Sequence, residues 1–261
     1  MELIKIIKYL DKKFDPNLAY EWDFNGIQNI SNKQNIDFNT EITNVVIALD
    51  LNKNVVEFAI ANNVNLIITR HPFIFGELVV EKQNPQKSKM IKLLINHNLV
   101  IYSIHTNYDA SIYQNIQNIV SEQFNIKKFS HLKKNKECIK FILKNKITHK
   151  EFRETFKKIF SLEHCQINKS WDDHKQLNEF YLTSGSGAST MIEQKMEQKI
   201  FVTGEVKWNE WIYAEDNEVS LLALGHYMEN YFIYDIKNKL INTFKDLKIT
   251  TIDIENQFRK G

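Results

Sequence analysis

Three continuous apolar runs of strand length each break off into a short polar segment that carries a histidine. NLIIT (residues 65–69) runs into RHPFIF, LVIYSI (99–104) into HTNYDA, and VSLLAL (219–224) into GHYMEN. A strand apolar on both faces belongs in a sheet covered by helices on both sides, where pairing is mostly parallel. In such sheets ligands gather beyond the carboxyl ends of the strands. The pattern therefore predicts an α/β fold whose chemistry sits where these runs end, so that the three polar segments can converge.

The intervening residues support this reading. NVVIALDL (44–51) is followed by Val55, Val56, Ala59 and Ile60 at helical spacing and then by NLIIT, a strand–helix–strand order that implies parallel pairing. Leu3, Ile6, Ile7, Leu10 and Phe14 predict an amphipathic opening helix that Pro16 stops. Further helices are expected at 90–95 and 116–124, and another is opened by Thr148 and Glu151 at capping-box spacing. CIKFIL, EFYLT, IFVT and KITTIDI add strands. No tandem repeat or low-complexity linker interrupts the chain, and the lysine-rich stretch 125–136 is the best seam. The expected fold class is α/β: two related halves, about 1–126 and 127–261, of mostly parallel strands flanked by helices, with a metal site in the cleft between them.

With 261 residues the chain buries an ample core without disulfides. Cys138 and Cys165 lack the close spacing of a zinc or redox motif and read as free thiols. The N-terminal MELIKIIKYLDKKF interleaves lysines with apolar residues, so neither a signal peptide nor a membrane span is expected, and the protein is assigned to the cytoplasm. A net charge of +2 gives no reason to expect a nucleic-acid partner. The lysines of 125–158 read as a solvated strand and helix face, because aromatics for base stacking are sparse among them.

At the strand ends, Pro72 fixes the turn at His71, His105 and Asp109 follow the second run, and His226 and Glu229 stand three apart after Gly225. Imidazole nitrogens mixed with carboxylate oxygens suit Zn²⁺, Mn²⁺ or Fe²⁺, whereas an all-oxygen set would suit Mg²⁺ or Ca²⁺. One such histidine is unremarkable; three strand ends with histidine, in a chain of 8, are harder to obtain by accident. The remaining histidines, at 97, 131, 149, 164 and 174, read as surface residues. SGSGAS (184–189) lacks a P-loop lysine and reads as a plain tight turn. EWDFNGIQ (21–28) reads as a turn with Trp22 as a core anchor, in preference to a placement of Asp23 and Asn25 near the site.

Taken in order, EWDFNGIQ, VVIALDL, NLIITRHPFIF, IYSIHTNYDA, SGSGAS, IFVTGEVKWNE and LLALGHYMEN resemble the GTP cyclohydrolase 1 type 2 homolog family, interacting-factor-like dinuclear metal-binding proteins. The resemblance covers nearly the whole chain. It implies a single family domain, 1–261, in the short form without an inserted middle domain, and a homo-oligomer built as a hexameric ring. Carried over residue by residue, it implies a metal site of His71, Asp109, His226 and Glu229, with His105 as a near ligand or orienter, and a divalent transition metal (Zn, Mn or Fe), one or two per subunit. The sequence departs from the family pattern at Arg70, where a second histidine is usual; at Glu205 and Asn209, where Asp and His are common; and after Asp109, where glycines are absent. A guanidinium cannot ligate a cation.

The function expected from the resemblance is a metal-dependent hydrolase acting on a small-molecule, nucleotide or phosphoester substrate. Glu229 or His105 would carry the proton in catalysis, and Arg70 would be recast as a substrate-binding clamp on an anionic group. The alternative is a non-catalytic metal-binding or regulatory, partner-binding protein. Neither nucleic acid nor a membrane is an expected partner.

Overall fold

A computed structural model of the chain describes residues 1–31 and 36–254. Among these, the strands in chain order are β1 (Gly26–Ile27), β2 (Asn44–Ala48), β3 (Leu66–Thr69), β4 (Val100–Ser103), β5 (Ile126–His131), β6 (Ile139–Thr148), β7 (Gln166–Ile167), β8 (Gln176–Leu182), β9 (Ile200–Thr203), β10 (Ser220–Ala223) and β11 (Lys248–Ile252). The helices are α1 (Leu3–Lys13), α2 (Lys53–Ala61), α3 (Leu78–Glu81), α4 (Pro85–Asn96), α5 (Thr106–Ala110), α6 (Ile116–Gln123), α7 (His149–Ile159), α8 (Ser189–Glu193), α9 (Trp208–Asp216) and α10 (Tyr231–Thr243). The chain forms two compact units, Met1–Tyr113 with Phe232 onward, and Gln114–Tyr231.

The first unit is built on a sheet of order β1-β4-β3-β2-β11. Its strands pair in parallel from β4 through β11, with Leu66 opposite both Val100 and Val45. Only the short edge strand β1 runs antiparallel. Every residue of β3 and β4 is buried, as the unbroken apolar runs require of strands covered on both faces. One face packs Val46, Ala48, Ile67 and Ile101 against Val55, Val56 and Ala59 of α2 and Ile91 and Leu94 of α4. Each valine, leucine or isoleucine among them contributes about 1.5–3 kcal/mol on burial. Asn52 starts α2 by accepting from the Val55 amide, and Asn84 with Pro85 starts α4. As expected, α1 buries Leu3, Ile6, Ile7 and Leu10 and ends before Pro16.

The second unit carries a sheet of order β5-β6-β8-β9-β10-β7. β8, β9 and β10 are parallel, while β5, β6 and β7 add antiparallel pairings at its two margins. Parallel strands thus form the middle of both sheets, with helices flanking them. Phe124, Phe152, Phe156 and Phe180 form one part of the unit's core, with ring centroids 4.8–5.8 Å apart. Cys138, Met191, Phe201 and Leu221 fall in another part. Thr148 and Glu151 make the reciprocal bonds of the capping box that their spacing predicts. Lys127 and Lys128 of β5 are exposed, consistent with a solvated strand. No helix among the described residues is long and apolar enough to cross a membrane.

Candidate metal centre

In the first unit, the loops after β2, β3 and β4 lie at the same end of the sheet because the three strands are parallel. They supply Asp50, then Arg70 and His71, then His105 and Asp109. His71 Nδ1 lies 2.8 Å from Asp50 Oδ1. A carboxylate only accepts, so Nδ1 carries the proton, and in the neutral ring Nε2 is the nitrogen that would ligate a cation. The turn that holds this ring is tied from behind by Thr69 Oγ1, which donates to the His71 carbonyl at 2.8 Å.

His105 is oriented in the same way. Its Nδ1 lies 2.8 Å from Asp23 Oδ1, and the Thr106 amide donates to Asp23 Oδ2 at 3.0 Å. Burial raises the Asp23 pKa, but the bonds from His105 and Thr106 outweigh it and hold the carboxyl below its ordinary value. The His71 and His105 rings stand 5.6 Å apart, and Trp22 and Phe75 present ring edges to His105 at 6.0 and 5.9 Å. Here the structure corrects the sequence reading: Trp22 is 58% exposed, so it is no core anchor, and it is Asp23 whose side chain is wholly buried. The partner that buries Asp23 is far along the chain, and no local pattern announces it.

Asp109 sits in α5, and Arg70 Nη2 donates to both of its carboxylate oxygens at 2.9 and 2.8 Å. Both residues are buried. The anion that Arg70 meets here is a side chain of the protein itself.

In the second unit, the loops following β8, β9 and β10 likewise meet at one end of parallel strands. Gly225, at φ +79°, turns the chain out of β10 into a 3-10 helix, His226–Asn230. This places His226 Nε2 2.8 Å from Glu229 Oε2. His226 Nδ1 lies 3.3 Å from Glu205 Oε1, and Ser186 Oγ donates to Glu205 Oε2 at 2.8 Å. Glu205, seen in the sequence only as a departure from the family pattern, is thus the residue that orients His226.

The SGSGAS segment is a turn, as expected, with a further role. Gly185 has φ +56°, and a Cβ there would lie 2.4 Å from Glu229 Oε1. Its carbonyl accepts from the amides of Gly204 and Glu205 at 2.9 and 3.0 Å, which locks the β8 and β9 loops together under the Glu229 carboxylate. Two other expectations are settled outside the site. His149 is buried rather than on the surface, its ring tilted against that of Trp171 with centroids 4.9 Å apart. Cys138 is a buried free thiol whose pKa burial pushes well up.

The chain matches the family model described as Duf34/NIF3 (NGG1p interacting factor 3) over residues 1–257. It is 32% identical over 239 residues to the GTP cyclohydrolase 1 type 2 homolog of Mycoplasmopsis pulmonis, covering 90% of this chain and 92% of that one. It is 25% identical over 260 residues to the GTP cyclohydrolase 1 type 2 of Helicobacter pylori, covering 98% and 97%. Among solved structures it is similar to Staphylococcus aureus hypothetical protein SA1388, with a TM-score of 0.81 at 20% identity over 100% of this chain and 99% of that one. It is also similar to reduced HcgD from Methanocaldococcus jannaschii, with a TM-score of 0.80 at 23% identity over 97% and 98%. The model match spans nearly all of the sequence, the ordered motifs fall within it, and the chain belongs to the Duf34/NIF3 family.

Proposed function

We propose that this protein binds a divalent transition metal and uses it in hydrolysis. The candidate ligands are His71, His226 and Glu229, while Asp109, the further carboxylate that the family resemblance implies, accepts from Arg70 through both oxygens. The observation that carries the reading is the orientation of His71, whose Nδ1 is engaged by Asp50, which makes Nε2 the nitrogen that would ligate in the neutral ring. Nitrogen and oxygen donors of this kind fit Zn²⁺, Mn²⁺ or Fe²⁺. Such an ion supplies Lewis-acid polarisation of a carbonyl, phosphoryl or ring carbon and lowers the pKa of a bound water toward about 7. In this reading His105, fixed by Asp23, and Glu229 are the groups placed to hold or move a proton.

The names of the relatives, GTP cyclohydrolase 1 type 2 and its homologs, support a nucleotide or phosphoester as substrate. A second reading, a non-catalytic metal-binding or regulatory protein, draws its support from the buried Arg70–Asp109 pair, which commits one expected ligand to an arginine. Both readings place the protein in the cytoplasm as a homo-oligomer, with a hexameric ring as the proposed assembly. Metal content after non-chelating purification, followed by assay of GTP and a phosphoester panel with added Mn²⁺, Zn²⁺ or Fe²⁺, separates them. Turnover that rises with metal and is lost in His226→Ala supports the hydrolase; bound metal without turnover supports the second reading; failure to bind any of the three ions overturns both.

A further inference from the structure

Arg70 is the largest wholly buried side chain among the described residues, at 1% exposure. Its guanidinium carbon lies 5.4 Å from the centre of the Tyr108 ring and 5.9 Å from that of Phe232. Tyr108 is held in turn by its hydroxyl, which donates to Asp235 Oδ2 at 2.7 Å, and Asp235 pairs with Lys239. The cation is therefore gripped by two ring faces and by both oxygens of Asp109, all within the first unit. A guanidinium does not give up its proton in a protein, and a buried charge is tolerated only when paired. Asp109 must stay ionised to meet it. A divalent ion drawing on the same carboxylate would have to lie beside a positive charge that can neither leave nor be neutralised.

We infer that Arg70 is a built-in cation: Asp109 is its counter-ion and not a metal ligand, and the arginine limits each chain to one divalent ion. The inference rests on the metal-binding reading and sharpens it, since it decides between one ion and two and removes Asp109 from the ligand set. It also assigns Arg70 and Asp109 a role that persists without any metal.

Two measurements test it. Equilibrium dialysis against Mn²⁺ or Zn²⁺ is expected to give one tight equivalent per chain for wild type. The charge-neutral double variant Arg70→Met/Asp109→Leu, which replaces both partners together, should keep that equivalent with affinity within about threefold. Second, in excess chelator, Asp109→Asn should lower the Tm by about 6 °C or more, because it strands the buried guanidinium. Removal of a mere ligand from metal-free protein would leave Tm unchanged or raise it, by relieving repulsion among carboxylates. Two equivalents in wild type, a loss of affinity above tenfold in the double variant, or an unshifted metal-free Tm in Asp109→Asn would each overturn the inference while leaving metal binding intact. If Asp109→Asn does not fold in chelator while wild type does, the counter-ion role is supported, and the double variant should restore folding. Absence of metal from wild type would sink the metal-binding reading itself.

Discussion

Asp23 and His105 are joined by a 2.8 Å hydrogen bond across 82 residues of chain, and the carboxylate that makes it is sealed from solvent. The bond fixes which imidazole nitrogen carries the proton and which way the ring faces, beside His71 at 5.6 Å. Asp23→Asn keeps the volume and removes the charge. It is expected to cost about 1.5–3 kcal/mol in urea unfolding at pH 6, the range for a bond to a charged partner.

The pH dependence of that contribution follows from the direction of the shift. Asp23 is held below its ordinary carboxylate value in the fold, so the unfolded chain binds its proton first as pH falls. Its stabilisation is full above that value and is lost as pH drops through the lower folded one. The difference in stability between wild type and Asp23→Asn should therefore shrink from pH 6 to pH 3, and a difference that grows toward acid would contradict the assignment.

His149 gives a second pH signature, at milder pH. Burial, and then the nearby Lys175 charge, hold its pKa below the ordinary imidazole value against the pull of Asp172 and Asp173. The folded state keeps it neutral, so stability is full above the unfolded value and declines as pH falls below about 6.5 toward the folded one. His149→Phe should flatten the part of the wild-type slope between pH 7.5 and 5.5 that His149 supplies, read from urea midpoints in excess chelator.

Gly185→Ala tests how the Glu229 carboxylate is seated. The added Cβ would fall 2.4 Å from Glu229 Oε1 at a backbone φ of +56°, so either the carboxylate or the turn must move. Positive φ alone costs roughly 1 kcal/mol for alanine, and displacement of Glu229 should also weaken metal affinity at least tenfold. Thermal denaturation and metal titration of the variant check both effects; unchanged affinity would mean that Glu229 is no ligand.

Much of the first sheet was legible because its strands are continuous apolar runs and the turn after each is marked by histidine, proline or aspartate. The return of β11 to pair with β2 was not, since KITTIDI reads as a strand but says nothing about its neighbour. At the site, the sequence showed the residues that end strands and hid those that orient them. Asp50, Asp23 and Glu205 each lie on a different loop from the histidine they hold, and only the fold brings them together. The exposure of Trp22 is hidden for the same reason: a tryptophan beside an aspartate gives no local sign of which one the fold will bury. His149 likewise stands among charged neighbours in sequence while facing the interior in three dimensions.

Metal stoichiometry by equilibrium dialysis of wild type, His71→Ala and His226→Ala tests the central claim most directly. If His71, His226 and Glu229 hold one ion, wild type binds one Zn²⁺ or Mn²⁺ per chain and each substitution alone lowers affinity at least a hundredfold. Retention of the full equivalent at unchanged affinity in either variant, or no binding in wild type, would contradict it.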